Sequence, residues 1–510
     1  MTAEGGGLGL YERVLAALGS SPAEGKPPRA SAAVVPWRRR DGRLEVYWVR
    51  RSEAVSFMPG WHAFPGGAVA RGDAELPLAG VEAGVEPAIA AAALRELWEE
   101  TGVLVAAAAG NDEDRGARIA PEALARTADP AALAAVLREH GLALDASPLV
   151  PAGRWLTPPF APLRFDNRFF LLEWPADREP QPRVEPGELA EGEWVEPAAA
   201  LARWRSGDVL AAPPILHFLQ VLAEEGPESG LPRLLDPHEA DLGPMRRIEF
   251  RPGVVMVPLR TPTLPPATHT NAYLLGTGPA VLVDPGSPWP EEQATLLSVL
   301  AAAERLGRRV REIWLTHHHP DHVGGATAAA RALGVPVRAH RAAAERLASR
   351  GIELGRPLED GERAELGQGC TVRVVHTPGH TRGHLAFLVE EDGALLCGDL
   401  VSALSTIVID PPEGRMADYL GSLARARDLA PRFLFPAHGP VLRAGERVLD
   451  EMLAHRRERE ARILAAWRDG VREPAALVAA AYDALAAGLQ PIAERQVAAH
   501  LEHLRERGEI

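Results

Sequence analysis

The sequence predicts a multidomain protein of mixed α/β and α+β class, on three observations. At 510 residues it is long enough for about three domains of roughly 150 residues each. Strand and helix patterns alternate on both sides of GPESGLPRLLDPHEADLGP, residues 226–244, whose Pro, Gly and acid content marks a linker. From residue 441 the alternation stops and helical patterns run to the end. The expected division is a flexible N-terminus with one short helix over 1–29 and a first domain over 30–225. A linker over 226–245, a second domain over 246–440 and a helical tail over 441–510 complete it.

Composition narrows the function classes. An apolar fraction of 46% with 24% charged residues is that of a soluble globular protein with several cores. The formal charge, 55 − 69 = −14, argues against a coat for nucleic acid or anionic membrane. Arg, Glu, Pro and Gly interrupt every Ala/Leu-rich stretch, so no window of membrane-spanning length stays apolar. The start lacks a basic segment followed by an apolar one, so no secretory signal is expected. Cys370 and Cys397 are too few for a disulfide framework, which makes a reduced, cytoplasmic setting the expectation.

In the first domain, Ala32–Trp37 and Leu44–Val49 read as strands around the turn Arg40-Asp41-Gly42. Phe64-Pro65-Gly66-Gly67 then precedes Arg95-Glu96-Leu97-Trp98-Glu99-Glu100-Thr101-Gly102. On a helix Glu96, Glu99 and Glu100 fall at i, i+3 and i+4, so the three carboxylates share one face. Such crowding of like charge is unfavourable unless an arginine or a hard cation such as Mg²⁺ or Mn²⁺ neutralises it. An acidic, solvent-facing helix is the plainer reading, but the Gly-rich loop and the closing Thr-Gly make the set more specific than its carboxylates alone.

In the second domain, Val254–Leu259, Ala272–Leu275 and Ala280–Val283 read as strands, followed by a helix over Glu292–Leu306. The strand Val310–Leu315 then runs into Thr316-His317-His318-His319-Pro320-Asp321-His322. Four imidazoles and a carboxylate within six positions suit divalent cations, Zn²⁺ first. A solvated His-rich loop is the alternative. Three later strand ends weigh against it: His380 in Thr377-Pro378-Gly379-His380-Thr381, Asp399 in Cys397-Gly398-Asp399, and His438 in Pro436-Ala437-His438-Gly439. The tail reads as helices over Asp450–Trp467, Glu473–Leu485 and Ile492–Arg507.

The histidine pattern resembles the HxHxDH motif and downstream ligands of the metallo-β-lactamase-fold hydrolases, over roughly residues 246–440. The resemblance implies an αββα sandwich with two Zn²⁺ (or iron or manganese). His317, His319 and His380 would hold one metal, and Asp321, His322 and His438 the other, with Asp399 bridging. Asp284 would support the site from outside, and His318 is unmatched. Asp321 is the catalytic candidate for orienting the nucleophile, and two such cations about 3.5–4 Å apart can share and acidify a water. The segment 376–401, with His384 four residues after His380, resembles the β-lactamase-like protein 2 subgroup, whose members carry a winged-helix-like tail. His384 is thereby a substrate-positioning or structural residue. That subgroup cleaves single-stranded RNA and its fungal relatives are thioesterases. Residues 441–510 hold 11 Arg and 12 Asp or Glu, net −1, which is no basic stripe for RNA.

The glutamate helix resembles the Nudix box, over roughly residues 30–225, and implies an α/β/α sandwich hydrolysing nucleoside diphosphates linked to a further group. Glu96, Glu99 and Glu100 then match metal ligands for Mg²⁺ or Mn²⁺, and Arg95 the residue that braces them. Glu99 and Glu188 are the catalytic candidates, with Glu191 and Glu193 near the latter. Asp73 stands where the box's first Glu is expected, and the stretch to Arg95 is about three times the usual length. Both features resemble the coenzyme A diphosphatase branch, as does Arg51-Ser52…Phe57-Met58-Pro59-Gly60, in which Ser56 replaces one arginine. Arg51, Gly66 and Gly67 are the substrate-binding candidates. The expected function is therefore a bifunctional metal-dependent hydrolase acting on a thioester or phosphodiester and on a nucleoside diphosphate or coenzyme A derivative. The alternative is a single-stranded RNA endonuclease with a Nudix sensor. No membrane partner is expected, and a homo-oligomer is compatible with the composition.

Overall fold

The computed structural model describes residues 27–55, 58–108, 129–157, 163–175, 181–184, 187–236, 248–482 and 489–510. The short N-terminal helix, Ser56 and Phe57 of the expected coenzyme A signature, and linker residues 237–245 lie outside the described residues. The chain divides into two compact units, Gly25–Arg251 and, among the described residues, Pro252–Ile510.

The first unit is built on β1 (Arg29–Arg40), β2 (Arg43–Arg51), β3 (Gly66–Ala68), β4 (Leu149–Leu156), β5 (Phe165–Glu173) and β6 (Leu189–Val195). The main sheet runs β6-β2-β1-β5-β4, with β3 laid antiparallel along β1. Asp41 and Gly42 both take positive φ, 52° and 75°, the mirror-image turn that matches strand twist and joins β1 to β2. β1 pairs parallel with β5, and both are buried on both faces. Alternate residues therefore serve two cores. Val34, Phe170 and Leu172 pack with Leu94, Leu97 and Trp98 of α1 (Pro87–Thr101). Val35, Phe169 and Leu171 pack with Phe218, Leu219 and Leu222 of α2 (Pro213–Glu224). The result is a helix–sheet–helix sandwich.

One sequence expectation is corrected in this unit. Residues 226–235, placed in the linker because of their Pro and Gly, form α3 (Gly226–Leu235). Pro227 sits in its first turn, where no intrahelical N–H is lost, and Leu234 is fully buried in the second core with Leu231 packed against it. Tertiary burial outweighs the weak propensity of the segment.

The second unit stacks two sheets. One runs β7 (Val254–Arg260), β8 (His269–Leu275), β9 (Ala280–Val283), β10 (Val310–Trp314) and β11 (Val337–Arg338). The other runs β12 (Arg363–Glu365), β13 (Thr371–His376), β14 (Leu385–Val389), β15 (Ala394–Gly398), β16 (Phe433–Pro436) and β17 (Leu442–Arg443). Between the sheets, Trp314 meets Phe387 at 5.2 Å and Tyr273 meets Phe435 at 6.0 Å. Outside the first sheet, α4 (Pro290–Arg305) buries Leu296, Leu300 and Ala303. Outside the second, α5 (Met416–Asp428) buries Tyr419 and Leu423. The layers are thus helix, sheet, sheet, helix.

Among its described residues the tail forms three helices, α6 (Gly445–Arg468), α7 (Pro474–Ala481) and α8 (Gln490–Glu506). α6 straddles the boundary expected at 441. Its Val448, Leu449 and Leu453 belong to the core beneath α5, whereas Ile463 joins Leu477, Val478, Val497 and Leu504 in a separate small core.

Burial separates two adjacent leucines of α3: Leu234 is fully buried and Leu235 is 51% exposed. In urea unfolding of the full chain, Leu234→Ala should cost the first unit about 2–5 kcal/mol and Leu235→Ala no more than about 0.5 kcal/mol. Equal effects would return the segment to the status of a linker.

Candidate metal centre

The centre of the second unit is assembled at strand ends. β10 delivers Thr316 and His317 into a loop that closes in the short turn Pro320–Val323, which carries Asp321 and His322. The loop is fixed from β9 by Asp284, whose φ is 47°. Its buried carboxylate accepts hydrogen bonds from Thr316 N at 2.8 Å and Thr316 Oγ1 at 2.6 Å, and meets His322 Nδ1 at 2.8 Å. A Cβ on Gly286 would lie 1.7 Å from the Asp321 carbonyl oxygen, so only glycine lets the two loops touch.

The second sheet brings the remaining groups. His380 follows β13, with Nδ1 2.7 Å from Val408 O, and His438 follows β16, with Nδ1 3.0 Å from His269 O. Each contact with a carbonyl assigns the proton to Nδ1 and leaves Nε2 as an acceptor facing inward. His317 Nε2 and His380 Nε2 both lie 2.9 Å from His319 Nδ1. Three converging ring nitrogens cannot all hydrogen-bond one another while neutral, but they form one side of a metal shell. Asp399 stands between the two groups, Oδ2 3.4 Å from His380 Nε2 and Oδ1 3.3 Å from His438 Nε2 and 3.5 Å from His322 Nε2. His322 Nε2 and Asp399 Oδ1 are buried without hydrogen-bond partners.

Among the described residues, two sets have ligand atoms all within 4.8 Å of one another: His317, His319, His380 and Asp399, and Asp321, His322 and His438. Their electrostatics differ. Burial, then neighbouring imidazoles, holds His317 and His319 well below the usual histidine range, so both are neutral as ligands must be. Burial would lower His322 too, but Asp321, Asp399 and Asp284 outweigh it and push it up to about 10. Burial would raise Asp399, but His438, His322 and His380 hold it well below the carboxylate range. In the first set the imidazoles are held neutral beside an ionised Asp399, whereas in the second the neighbouring carboxylates push His322 and His438 up.

Two histidines fall outside the sets. His384 is fully buried, with Nδ1 2.8 Å from Thr377 Oγ1 and Nε2 accepting the Asp399 backbone N–H at 3.0 Å. Both nitrogens are taken, which corrects its placement among substrate-binding residues: it orients Asp399. Burial, then the nearby His380, pushes it down to about 3. His318 is buried beside the sets, and its Nδ1 has no partner among the described residues. The carbonyls of Val408 and His269, and Asn271, whose Nδ2 donates to Pro436 O and Gly439 O at 2.9 Å each, have no signal in the sequence.

In the first unit, Arg95 is buried at the middle of the glutamate set. It donates to Asp73 at 2.6 and 3.0 Å, to Glu96 at 2.8 Å and to Glu99 at 3.1 Å. Asp73, on the 3-10 turn Arg71–Glu75, is itself buried. Glu100 accepts the Gly66 N–H at 2.8 Å, and a Cβ on Gly67 would lie 2.6 Å from the Glu96 carboxylate. The two loop glycines are thus occupied with the glutamates. Burial, then Glu99 against the opposing pull of Arg95, lifts Glu96 to about 7, and burial beside Glu96 raises Glu100 well above its usual range. Glu188 adds to the field on all three glutamates and accepts a hydrogen bond from Arg51 at 2.9 Å. The glutamates are not one of the two close ligand sets: Arg95 holds two of them and Gly66 the third.

Comparison with known proteins agrees with the histidine centre. Residues 265–438 match the metallo-beta-lactamase superfamily model, and residues 474–510 the beta-lactamase associated winged helix domain. Among the described residues after 445 that tail contains helices and no strand. Beta-lactamase-like protein 2 homolog of Caenorhabditis elegans is 34% identical over 38% of this chain and 64% of its own length. Lactamase-like protein vrtG of Penicillium aethiopicum is 33% identical over 49% of this chain and 74% of its own. An atrochrysone carboxyl ACP thioesterase of Aspergillus fumigatus is 31% identical over 38% and 43%. A solved NUDIX hydrolase from Alicyclobacillus acidocaldarius is 35% identical over 39% of this chain and 91% of its own, with a TM-score of 0.33. No helix among the described residues is long and apolar enough to cross a membrane. The chain is a hydrolase and belongs to the metallo-beta-lactamase superfamily.

Proposed function

We propose that the 252–510 unit hydrolyses a thioester at a two-cation centre. His317, His319 and His380 would hold one cation, Asp321, His322 and His438 the other, and Asp399 both. The observation that carries this reading is Asp399, a buried carboxylate whose Oδ2 faces His380 of one ligand set and whose Oδ1 faces His438 and His322 of the other. Zinc, iron or manganese in such a set supplies Lewis acidity toward a water and toward the oxygen of the scissile bond. The chain's own residues supply orientation. Val408 and His269 fix the ring nitrogens of His380 and His438, and Asp284 fixes the His322 ring and the 316–322 loop. Asp321, the second residue of the Pro320–Val323 turn, is the residue proposed to orient the attacking water. The thioester is favoured over RNA because residues 441–510 carry no net positive charge, 11 Arg against 12 Asp or Glu, and several of those arginines are engaged within the protein. Arg456 is buried, and Arg462, Arg495 and Arg507 pair with Glu458, Asp410 and Glu460.

A second activity is proposed for the 25–251 unit: hydrolysis of a nucleoside diphosphate derivative, a coenzyme A diphosphate included. Its support is the bracket of Asp73 and Arg95 around Glu96 and Glu99, with Glu100 on the Gly66–Gly67 loop and Glu188 in the same field. Mg²⁺ or Mn²⁺ among these carboxylates supplies charge neutralisation for a pyrophosphate. Glu188 is the proposed base, and Arg51 holds its carboxylate in place.

The two activities separate by mutation in the full-length protein. His319→Ala should lower hydrolysis of acyl-thioesters by about a thousandfold or more and leave Mg²⁺-dependent diphosphate hydrolysis unchanged. Glu100→Gln should do the reverse. Loss of both activities in either variant, or of neither in both, would contradict the assignment. Asp284→Ala touches neither ligand set's inner atoms, yet should weaken zinc binding by roughly ten- to hundredfold in chelator competition. Unchanged affinity would remove Asp284 from the centre.

A further inference from the structure

The helical tail bears on the centre through one loop. Residues 403–415 lie between the turn that carries His380 and the tail. On the inner side, Val408 O faces His380 Nδ1 at 2.7 Å, and Arg415 N donates to Gly379 O at 2.8 Å. On the outer side, the neighbouring Ile407 O accepts two hydrogen bonds from the tail, from Arg456 Nη2 at 2.5 Å and Gln496 Nε2 at 2.7 Å. Arg495 adds a contact to Asp410 at 2.5 Å and another to Pro411 O.

Arg456 and Gln496 are 2% and 4% exposed, one on α6 and the other on α8. Arg456 makes no ion pair among the described residues. It spends its charge on Ile407 O, on Gln496 Oε1 and on the face of Tyr419 at 4.9 Å. A buried guanidinium without a carboxylate is costly, so its retention calls for a role beyond packing. Tyr419 in turn donates to Leu400 O at 2.8 Å, one residue from Asp399. The same arginine therefore backs the chain beside two groups of the centre, His380 and Asp399. Ile407 O meets the tail and the next carbonyl, Val408 O, meets His380, so the tail holds the chain one residue from the group that orients the ring.

We infer that Arg456 and Gln496 are positioning residues: the tail tunes metal affinity by holding Ile407 so that Val408 fixes the ring of His380. This rests on the two-cation reading proposed above. A hydrogen bond to the outer nitrogen of a ligand histidine sets its tautomer and basicity, and losing such a bond costs roughly ten- to hundredfold in affinity.

The test uses the full-length protein, zinc and a competing chromophoric chelator. Gln496→Leu keeps the volume and removes the donor, and Arg456→Met does likewise. Each should weaken the tighter-binding zinc by about tenfold or more and lower kcat while leaving KM for the thioester in place, with an unchanged far-UV circular dichroism spectrum. Arg456→Lys should recover most of the affinity. Glu451→Gln, which breaks the exposed Arg447–Glu451 pair on α6, should leave it within twofold. Folded variants that bind zinc as the parent does would overturn the inference alone. A parent protein that binds no zinc would overturn the two-cation reading and the inference with it. Should Arg456→Met fail to fold, the zinc affinity of Gln496→Leu decides.

Discussion

The buried carboxylate of Asp284 is the constraint on which the centre depends. It caps Thr316 twice and meets His322, so a single group from β9 fixes the loop leaving β10 and one of its histidines. Without it, the 316–322 loop would have to satisfy a buried backbone N–H, a hydroxyl and an imidazole by other means. Each is a polar group whose burial costs about 1–3 kcal/mol when unpaired. The carboxylate is strongly tied, and its partners are strongly tied to it. The two sheets then need only be stacked for His380, Asp399 and His438 to arrive from the other side.

A layered logic follows. The innermost atoms are ring nitrogens and carboxylate oxygens with few partners of their own. The next layer joins two side chains, Asp284 and His384, to two backbone carbonyls, Val408 O and His269 O. Backbone groups suit this role because they are rigid once the sheet is formed. Beyond them lies the tail, whose Arg456 and Gln496 hold the Ile407 carbonyl. The glutamate site of the first unit uses a different device. There a single buried Arg95 holds Asp73, Glu96 and Glu99 together, so its charge offsets the crowding of carboxylates.

Much of this was legible in the sequence where the signal was local in residue type. His317 through His322, and the small-residue turns around His380, Asp399 and His438, bear chemistry that a hydrophobic core would not tolerate, so their types alone point to a common centre. The i, i+3, i+4 spacing of Glu96, Glu99 and Glu100 likewise fixed their shared face. What could not be read is carried by groups that every residue has. The Val408 and His269 carbonyls lie 28 and 169 positions from the histidines they orient, and no side chain announces them. His384 was ambiguous because a histidine beside a centre can serve substrate or scaffold; only its burial decides. Residues 226–235 were misread for the opposite reason. Local Pro and Gly signals suggested a linker, while the deciding term, the burial of Leu234, is tertiary.

The most direct measurement of the central claim is X-ray absorption at the zinc edge on the full-length protein loaded with zinc. Two zinc ions per chain should give a shell of imidazole nitrogens and oxygens at about 2.0–2.2 Å and a metal–metal vector near 3.5–4 Å. A single zinc per chain, or two without that vector, would contradict a centre in which Asp399 joins two ligand sets.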